Sequence, residues 1–326
     1  MRRLTSAALV AALFGAACAD SGALRSPATP APGPRTAADD SDPWNLVPAA
    51  ADAIADVDLV ALRASPWSSA LVQGELGGDR DARTREFGYD VFSDADRLLF
   101  VTIESAAASR MLGVARGRFD SQRIAAAFAA ANPGATTADW RGSAVFQSQD
   151  SAVALVTPRT IAQGHPDSVR AAIDAAWGIV PDARGGRLGE LRRALDGERG
   201  TPAASIAVMV NDGMRARAAG LLAIPAGLRQ VAARLDLGSD LDLDGVAVFE
   251  TSHDAAVAAS TWRETARTVG RQPMVALLGL RAVFDGLSLT PEGSRVHARI
   301  HIPANQREGL AEKLLGLLRL IARGRQ

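Results

Sequence analysis

Residues 239–245 read SDLDLDG, and the structure assigned to this stretch decides the fold of the second half of the chain. Three aspartates at alternate positions before a glycine also begin an EF-hand calcium loop. That loop needs a helix on each side and a bidentate glutamate at its twelfth position. Counted from Asp240, the twelfth position is Thr251, and Glu250 comes one residue too early. The spacing therefore excludes an EF-hand.

The residues around this stretch alternate with a period of two, which is typical of strands. Residues 227–237 (GLRQVAARLDL) and 240–250 (DLDLDGVAVFE) predict a hairpin with leucines on the inner face and aspartates on the outer face. Aligning leucine with leucine places Asp236 opposite Asp242, a like-charge pair that costs stability unless solvent or a cation screens it. We expect a solvated acidic face. A weak calcium site of another type near Asp236, Asp240 and Asp242 stays open as the alternative.

Strands elsewhere in the chain also come in hairpins rather than alternating with helices, which predicts an α+β fold. The order strand, hairpin, capped helix, hairpin, capped helix occurs twice. We therefore predict a tandem repeat of a unit built from antiparallel hairpins packed against helices, over residues 44–180 and 203–326. The other predicted strands cover residues 53–59, 96–103, 110–119, 143–148, 152–157, 205–210, 282–289 and 295–302.

Helices are predicted where a capping residue precedes an apolar stripe. The expected starts are Ser65 with Pro66, Asp120, Asp167, residue 251 and Asn305. Two segments are expected to lack regular structure: a charged loop at residues 77–86 and a Gly- and Arg-rich connection between the units at residues 181–202. A type I turn is expected at residues 290–293 (TPEG).

Composition excludes several classes of function. The 326 residues are 48% apolar and 22% charged, so the chain can bury a large core. The 36 basic and 36 acidic residues cancel, which leaves no field to attract nucleic acid. A phosphate-binding loop of the G-x-x-x-x-G-K type is excluded as well, because Lys313 is the only lysine. No cofactor is predicted.

The amino terminus predicts export. Met1–Arg3 is positive, and the apolar run at residues 4–17 is well below the roughly 20 residues that span a bilayer. Residues 1–17 are therefore interpreted as a signal peptide. The only cysteine, Cys18, follows directly, in a chain bound for an oxidising compartment where a lone thiol would be a liability.

The stretch LFGAAC, residues 13–18, resembles the lipobox of bacterial lipoproteins. In that family the cysteine is acylated on sulfur, the signal peptide is cleaved, and the new amine is acylated again. The resemblance implies a palmitate-type anchor on Cys18 and a bacterial membrane as partner, without indicating the leaflet. The alternative is that Ala17–Ala19 (ACA) is an A-x-A cleavage site, which would remove the cysteine and leave a chain that begins at Asp20.

Residues 18–43 are predicted to be a tether that holds the folded part off the membrane. They combine small and polar residues with five prolines and bury too little apolar surface to fold: Pro27, Pro30, Pro32, Pro34 and Pro43. Residues 47–67, VPAAADAIADVDLVALRASPW, resemble the opening of uncharacterised lipoproteins from high-GC bacteria, including myxobacteria. This second resemblance implies an envelope location and no particular activity.

No catalytic motif is found. His297 and His301 are the tempting metal pair, but four residues along a strand separate them by about 13 Å, so we expect both on an exposed strand face. We therefore expect a non-enzymatic envelope lipoprotein with a binding or scaffold role. The first alternative is a periplasmic carrier of a lipid or other apolar ligand. The second is a hydrolase whose site is assembled from distant segments.

Overall fold

The computed structural model describes residues 37–68, 80–104, 109–196, 201–212, 214–215, 224–273, 275 and 281–306. Within these ranges the chain combines antiparallel strands with helices, which confirms the α+β class. The signal peptide, Cys18, the tether up to residue 36 and the predicted final helix beyond Gln306 lie outside the described residues.

Twelve strands are present in the described part of the chain, and each pairs antiparallel to a neighbour. They are β1 Ala53–Asp58, β2 Ala95–Glu104, β3 Ser109–Gly117, β4 Thr136–Trp140, β5 Ser143–Gln147, β6 Ala152–Thr157, β7 Thr160–Gly164, β8 Ala204–Met209, β9 Leu228–Leu237, β10 Leu241–Phe249, β11 Ser288–Glu292 and β12 Arg295–Ile302. The α-helices are Leu59–Ala64, Arg80–Phe87, Val91–Asp94, Ser121–Ala131, Pro166–Ala176, Arg187–Asp196, Ser252–Gly270 and Arg281–Asp285. Short 3-10 helices occur at Pro43–Leu46, Ala183–Gly185 and Ala304–Gln306.

The seven-stranded unit contains the described residues among 24–60 and 79–194. Its strands lie in the order β1-β2-β3-β7-β6-β5-β4. Helix Ser121–Ala131 begins as predicted, because the Asp120 carboxylate accepts the backbone N–H groups of Gln122 and Arg123. Ile124 of this helix packs with Tyr89 in a core cluster of the unit.

The five-stranded unit contains the described residues among 61–78 and 195–326, and its strands lie in the order β11-β12-β10-β9-β8. One core cluster of the unit contains Trp67, Val275 and Ile302. The Ser65 hydroxyl accepts the backbone N–H of Trp67 in the predicted capping position, whereas the helix expected after it lies outside the described residues beyond residue 68. The two units differ in strand number, and the tandem repeat stays a prediction.

The hairpin that opened the sequence argument is confirmed. β9 and β10 pair with Leu235 opposite Leu243 and Asp236 opposite Asp242, which is the predicted register. The hairpin of β2 and β3 and the hairpin of β5 and β6 are also confirmed. For β9 and β10, alternation fixed which residues share a face, because a register shift of one residue would turn every side chain to the other face, and aligning leucine with leucine then gave the register.

The predicted loop at residues 77–86 is wrong from Arg80 onward, where helix Arg80–Phe87 begins. Its sequence, RDARTREF, is charged on nearly every side and has no apolar stripe, so the periodicity could not reveal it. The helix ends at Gly88, which has a φ of +76° and lies so close to helix Ser121–Ala131 that a Cβ would meet the Arg123 carbonyl oxygen at 2.6 Å. In the sequence, Gly88 was the one signal that could have indicated the end of a helix here.

The predicted connection at residues 181–202 contains a helix in its middle, Arg187–Asp196, which the sequence did not indicate. Leu188 and Leu191, three residues apart, are buried on one face of this helix. An apolar stripe of about one turn is too short to predict a helix, and glycines and arginines surround it in the sequence.

Three local predictions need correction. Helix Pro166–Ala176 is capped by His165, whose Nδ1 accepts the N–H of Asp167, because Pro166 occupies the first helical position. The turn between β11 and β12 falls at Gly293 and Ser294 rather than at residues 290–293, and Gly293 has a φ of +56°. Of the strand predicted at residues 282–289, residues 282–285 belong instead to helix Arg281–Asp285.

Candidate functional site

Strands β9, β10 and β12 bring the aspartates and one histidine from the sequence argument onto one face of the five-stranded unit. Pairing places Asp236, Asp242 and His301 in one row across the three strands. The adjacent row contains Arg234, Asp244 and Arg299. These six residues form what we call the charged face, and acid and base alternate across most of it.

Arg234 neutralises the inner part of the charged face. Its side chain is 1% exposed, and its Nε and Nη2 atoms donate to both carboxylate oxygens of Asp236 at 2.9 and 2.8 Å. Its Nη1 donates to the Leu195 carbonyl oxygen at 3.2 Å. A buried guanidinium is tolerated because its donors reach fixed acceptors in this way. The like-charge pair of Asp236 and Asp242 is therefore screened by a permanent cation.

His301 lies at the outer end of the same row. Its Nδ1 atom is 3.0 Å from Asp242 Oδ1, and its Nε2 atom is 3.9 Å from Asp240 Oδ2. Asp240 also accepts the backbone N–H of Ala304 at 2.9 Å, which joins the β9–β10 turn to the end of β12. Arg299 is half exposed, with nitrogen atoms 3.7 Å from Asp242 and 3.6 Å from Asp244. Each carboxylate therefore has a basic or backbone neighbour within the same face.

The charged face does not have the geometry of a metal centre. Within the ranges that the structure describes, no group of three or more His, Cys, Asp or Glu residues is placed to hold a metal ion. His297 lies on β12 four residues before His301, and both side chains are exposed, as predicted for a strand face. His297 Nε2 is 3.5 Å from a carboxylate oxygen of the exposed Glu292.

Sequence reasoning missed a second cluster, in the seven-stranded unit, that is built on the buried carboxylate of Asp56. Asp56 accepts from the indole N–H of Trp44 at 2.6 Å and from Nε and Nη2 of Arg97 at 2.7 and 2.5 Å. Burial acts to lower the pKa of Arg97, but hydrogen bonding to Asp56 and the Asp56 charge outweigh it, so the pKa is raised. The guanidinium carbon of Arg192 lies 4.7 Å from the centre of the Trp44 ring. We call Trp44, Asp56, Arg97 and Arg192 the Trp44 cluster.

In both the charged face and the Trp44 cluster, the charged side chains bind one another. A catalytic or ligand-binding carboxylate needs a lone pair directed at a substrate, whereas Asp56 and Asp236 direct their oxygens at guanidinium groups of the chain itself. The only sequence signal for the Trp44 cluster was Asp56 on the strand AIADVD, with Asp58 two residues further on, and such a pattern is equally typical of a solvated face. Cys18, the predicted lipid attachment site, lies outside the described residues. No helix in the described ranges is both long enough and apolar enough to cross a bilayer.

No known family and no curated protein matches the chain in sequence. Among solved structures, crystal form III of TP0453, a Treponema lipoprotein, matches with a TM-score of 0.52 and 10% sequence identity. The match covers 86% of this chain and 98% of that chain. Crystal form IV of the same protein matches with a TM-score of 0.50 and 12% identity, over 85% of this chain and 96% of that one. At these identities the comparison shows only that this chain and TP0453 have similar folds.

Proposed function

We propose that this protein is a bacterial cell-envelope lipoprotein, exported by residues 1–17, acylated on Cys18 and held to a membrane by the tether. The observation that carries the proposal is the position of Cys18. The only cysteine of 326 residues stands directly behind a positive start and a short apolar run, in the sequence LFGAAC. A structural cysteine would have no reason to occur at this one place.

The fold supports the proposal independently of the signal peptide. The chain is similar in fold to TP0453, which is a membrane-associated lipoprotein of unclear function. This likeness of fold covers 86% of this chain, so it adds a line of support that does not depend on the sequence LFGAAC. The role of the folded part is a non-enzymatic binding or scaffold role, because the conspicuous charged groups pair with one another.

Metabolic labelling tests the anchor. Cells expressing the full chain are fed an alkyne analogue of palmitate, and the purified protein is coupled to a fluorophore. The wild type is expected to carry label that resists hydroxylamine, because part of the lipid is held by an amide. Cys18→Ser is expected to carry none. A Cys18→Ser, Ser21→Cys double variant is the matched control, since its thiol has the wrong position. An unlabelled wild type would refute the proposal.

The partner of the folded part is proposed to be another component of the envelope. Cross-linking of the anchored protein in its native envelope, followed by purification, identifies a protein partner directly. Organic extraction of the same sample separates the carrier alternative, which requires about one apolar ligand for each chain. Recovery of neither a partner nor a ligand would contradict the binding role.

A further inference from the structure

The segment Asp39–Val47, which we call the strap, is bonded to other parts of the seven-stranded unit at six of its nine positions. The Asp39 N–H donates to the Ala176 carbonyl oxygen at 3.1 Å. The hydroxyls of Thr157 and Thr160 both donate to Oδ2 of Asp40, at 2.5 and 3.0 Å. The first two strap residues therefore contact helix Pro166–Ala176 and strands β6 and β7.

The next strap residues contact other elements of the same unit. Arg116 of β3 donates to the Ser41 carbonyl oxygen at 3.0 Å. Arg192 of helix Arg187–Asp196 donates to Asp42 at 2.8 Å and stacks on Trp44. Asp42 also caps the 3-10 helix Pro43–Leu46, in which all four residues are buried.

The centre of the strap is Trp44, which is 1% exposed. Its indole N–H reaches Asp56 on β1, and Asp56 is held by Arg97 on β2. The Trp44 ring is stacked by a guanidinium, and its N–H is bonded to a buried carboxylate. If Trp44 left its place, the guanidinium and the carboxylate would both lose this partner and be exposed. At the end of the strap, the Ala183 N–H donates to the Val47 carbonyl oxygen.

We propose that the strap is a mechanical clasp that transfers the pull of the lipid tether to the seven-stranded unit. This inference rests on the proposed function for the pull and on the described contacts for the clasp. Load entering at Asp39 is shared among three helices and strands β1, β2, β3, β6 and β7 instead of peeling one strand from the sheet edge. Because the strap begins at Asp39, only residues 18–38 of the tether predicted over residues 18–43 act as the tether.

The position of the clasp limits the reach of the protein. Twenty-one residue steps separate Cys18 from Asp39, and a chain of that length spans at most about 75 Å when fully extended. Any envelope partner engaged by the anchored protein must bring its binding surface within that distance plus the size of the folded part. Lengthening the segment before Asp39, but not the strap itself, would extend the reach.

Limited proteolysis of the full chain tests the clasp without depending on the anchor. Full-length Cys18→Ser protein, made soluble with detergent because it keeps its apolar signal peptide, and lipidated protein in vesicles are digested with a broad-specificity protease, and the mass of the resistant core is measured. The core is expected to begin at or before Asp39 in both samples. A core that begins after Val47 in the otherwise intact protein would overturn the clasp. Protection in the soluble sample, with no lipid found on the wild type, would overturn only the proposed anchoring.

Variants refine the same measurement. Arg192→Met removes one ion pair and the stacking contact, and cleavage within residues 40–47 is expected to accelerate about tenfold because the strap opens more often. Trp44→Ala is expected to accelerate it further. Arg141→Met is the matched control, since Arg141 forms an ion pair with Asp174 elsewhere on the same unit and its loss is expected to leave strap cleavage unchanged. Circular dichroism verifies folding of each variant. Equal cleavage of folded Arg192→Met and wild type would contradict the clasp.

Discussion

Arg234 and Asp236, two residues apart on β9, form a doubly hydrogen-bonded ion pair directly beside Asp242 of the neighbouring strand. The pair is asymmetric, because the Arg234 side chain is 1% exposed and that of Asp236 is 29% exposed. A like-charge contact between Asp236 and Asp242 is thereby turned into a network with a buried cation at its centre. We therefore expect the charged face to contribute to the stability of the five-stranded unit.

Arg234→Met is expected to destabilise the chain by roughly 2–4 kcal/mol, because Asp236 loses its partner and faces Asp242 unscreened. Urea denaturation followed by circular dichroism measures the change. Arg299→Met is the control on the same face, and it is expected to cost no more than about 0.5 kcal/mol because Arg299 is half exposed. Equal effects of the two substitutions would contradict the central role given to Arg234.

Because Tyr89 is buried, we expect the folded chain to lose stability at alkaline pH. Burial raises the pKa of its phenol well above the ordinary value, against the opposing effect of a hydrogen bond with Gln163. The unfolded chain releases the proton near pH 10 while the folded chain retains it, so the stability present below pH 10 is lost as the pH rises further.

Absorbance at 295 nm measures this directly, because Tyr89 is the only tyrosine. Phenolate is expected near pH 10 in urea and, in the native chain, only when circular dichroism reports unfolding. Tyr89→Phe is expected to remove this part of the alkaline loss. Phenolate formation near pH 10 in a fully folded chain would show that the ring is accessible.

At Gly164 we expect any other residue to destabilise the fold. It has a φ of +146°, and a Cβ there would meet the Met111 carbonyl oxygen at 2.3 Å on the neighbouring strand. Gly164→Ala is expected to cost about 3 kcal/mol through strain and overlap. Gly142→Ala is the matched control: it also has a positive φ, but no atom lies within 4 Å, so about 1 kcal/mol is expected. Thermal denaturation of both variants measures the two losses of stability.

Calcium is not expected to bind the charged face. The oxygens of Asp236 accept from Arg234, and the nearest oxygen of Asp242 is 3.0 Å from a ring nitrogen of His301. Isothermal titration with calcium at millimolar concentration is expected to give only the heat of dilution. Stoichiometric binding by the wild type that disappears in Asp242→Asn would establish the alternative of a weak site.

Elements with a strong period were predictable from the sequence. The β9–β10 register, including the contact between Asp236 and Asp242, followed from the alternation of leucine and aspartate. Helix Ser121–Ala131 followed from its cap and its apolar stripe. Helix Arg80–Phe87 escaped prediction because hydrophobic periodicity cannot identify a helix that has no apolar face.

The Trp44 cluster could not be predicted, because its contacts join residues that are far apart in the chain. Asp56 and Arg97 are separated by 41 positions, and Arg192 and Asp42 by 150. A single sequence shows which residues share a strand face but not which distant charge lies opposite. The positions of the histidines, in contrast, could be predicted. Their spacing along one strand was enough to place His297 and His301 apart on the exposed face of β12.

The measurement closest to the central claim is the intact mass of the mature protein purified from bacterial membranes. A lipoprotein is expected to give a chain that begins at Cys18 and carries the added mass of its acyl groups, with Cys18→Ser retaining the signal peptide. A chain that begins at Asp20 without acyl mass, or one that retains Met1 in the soluble fraction, would contradict the account.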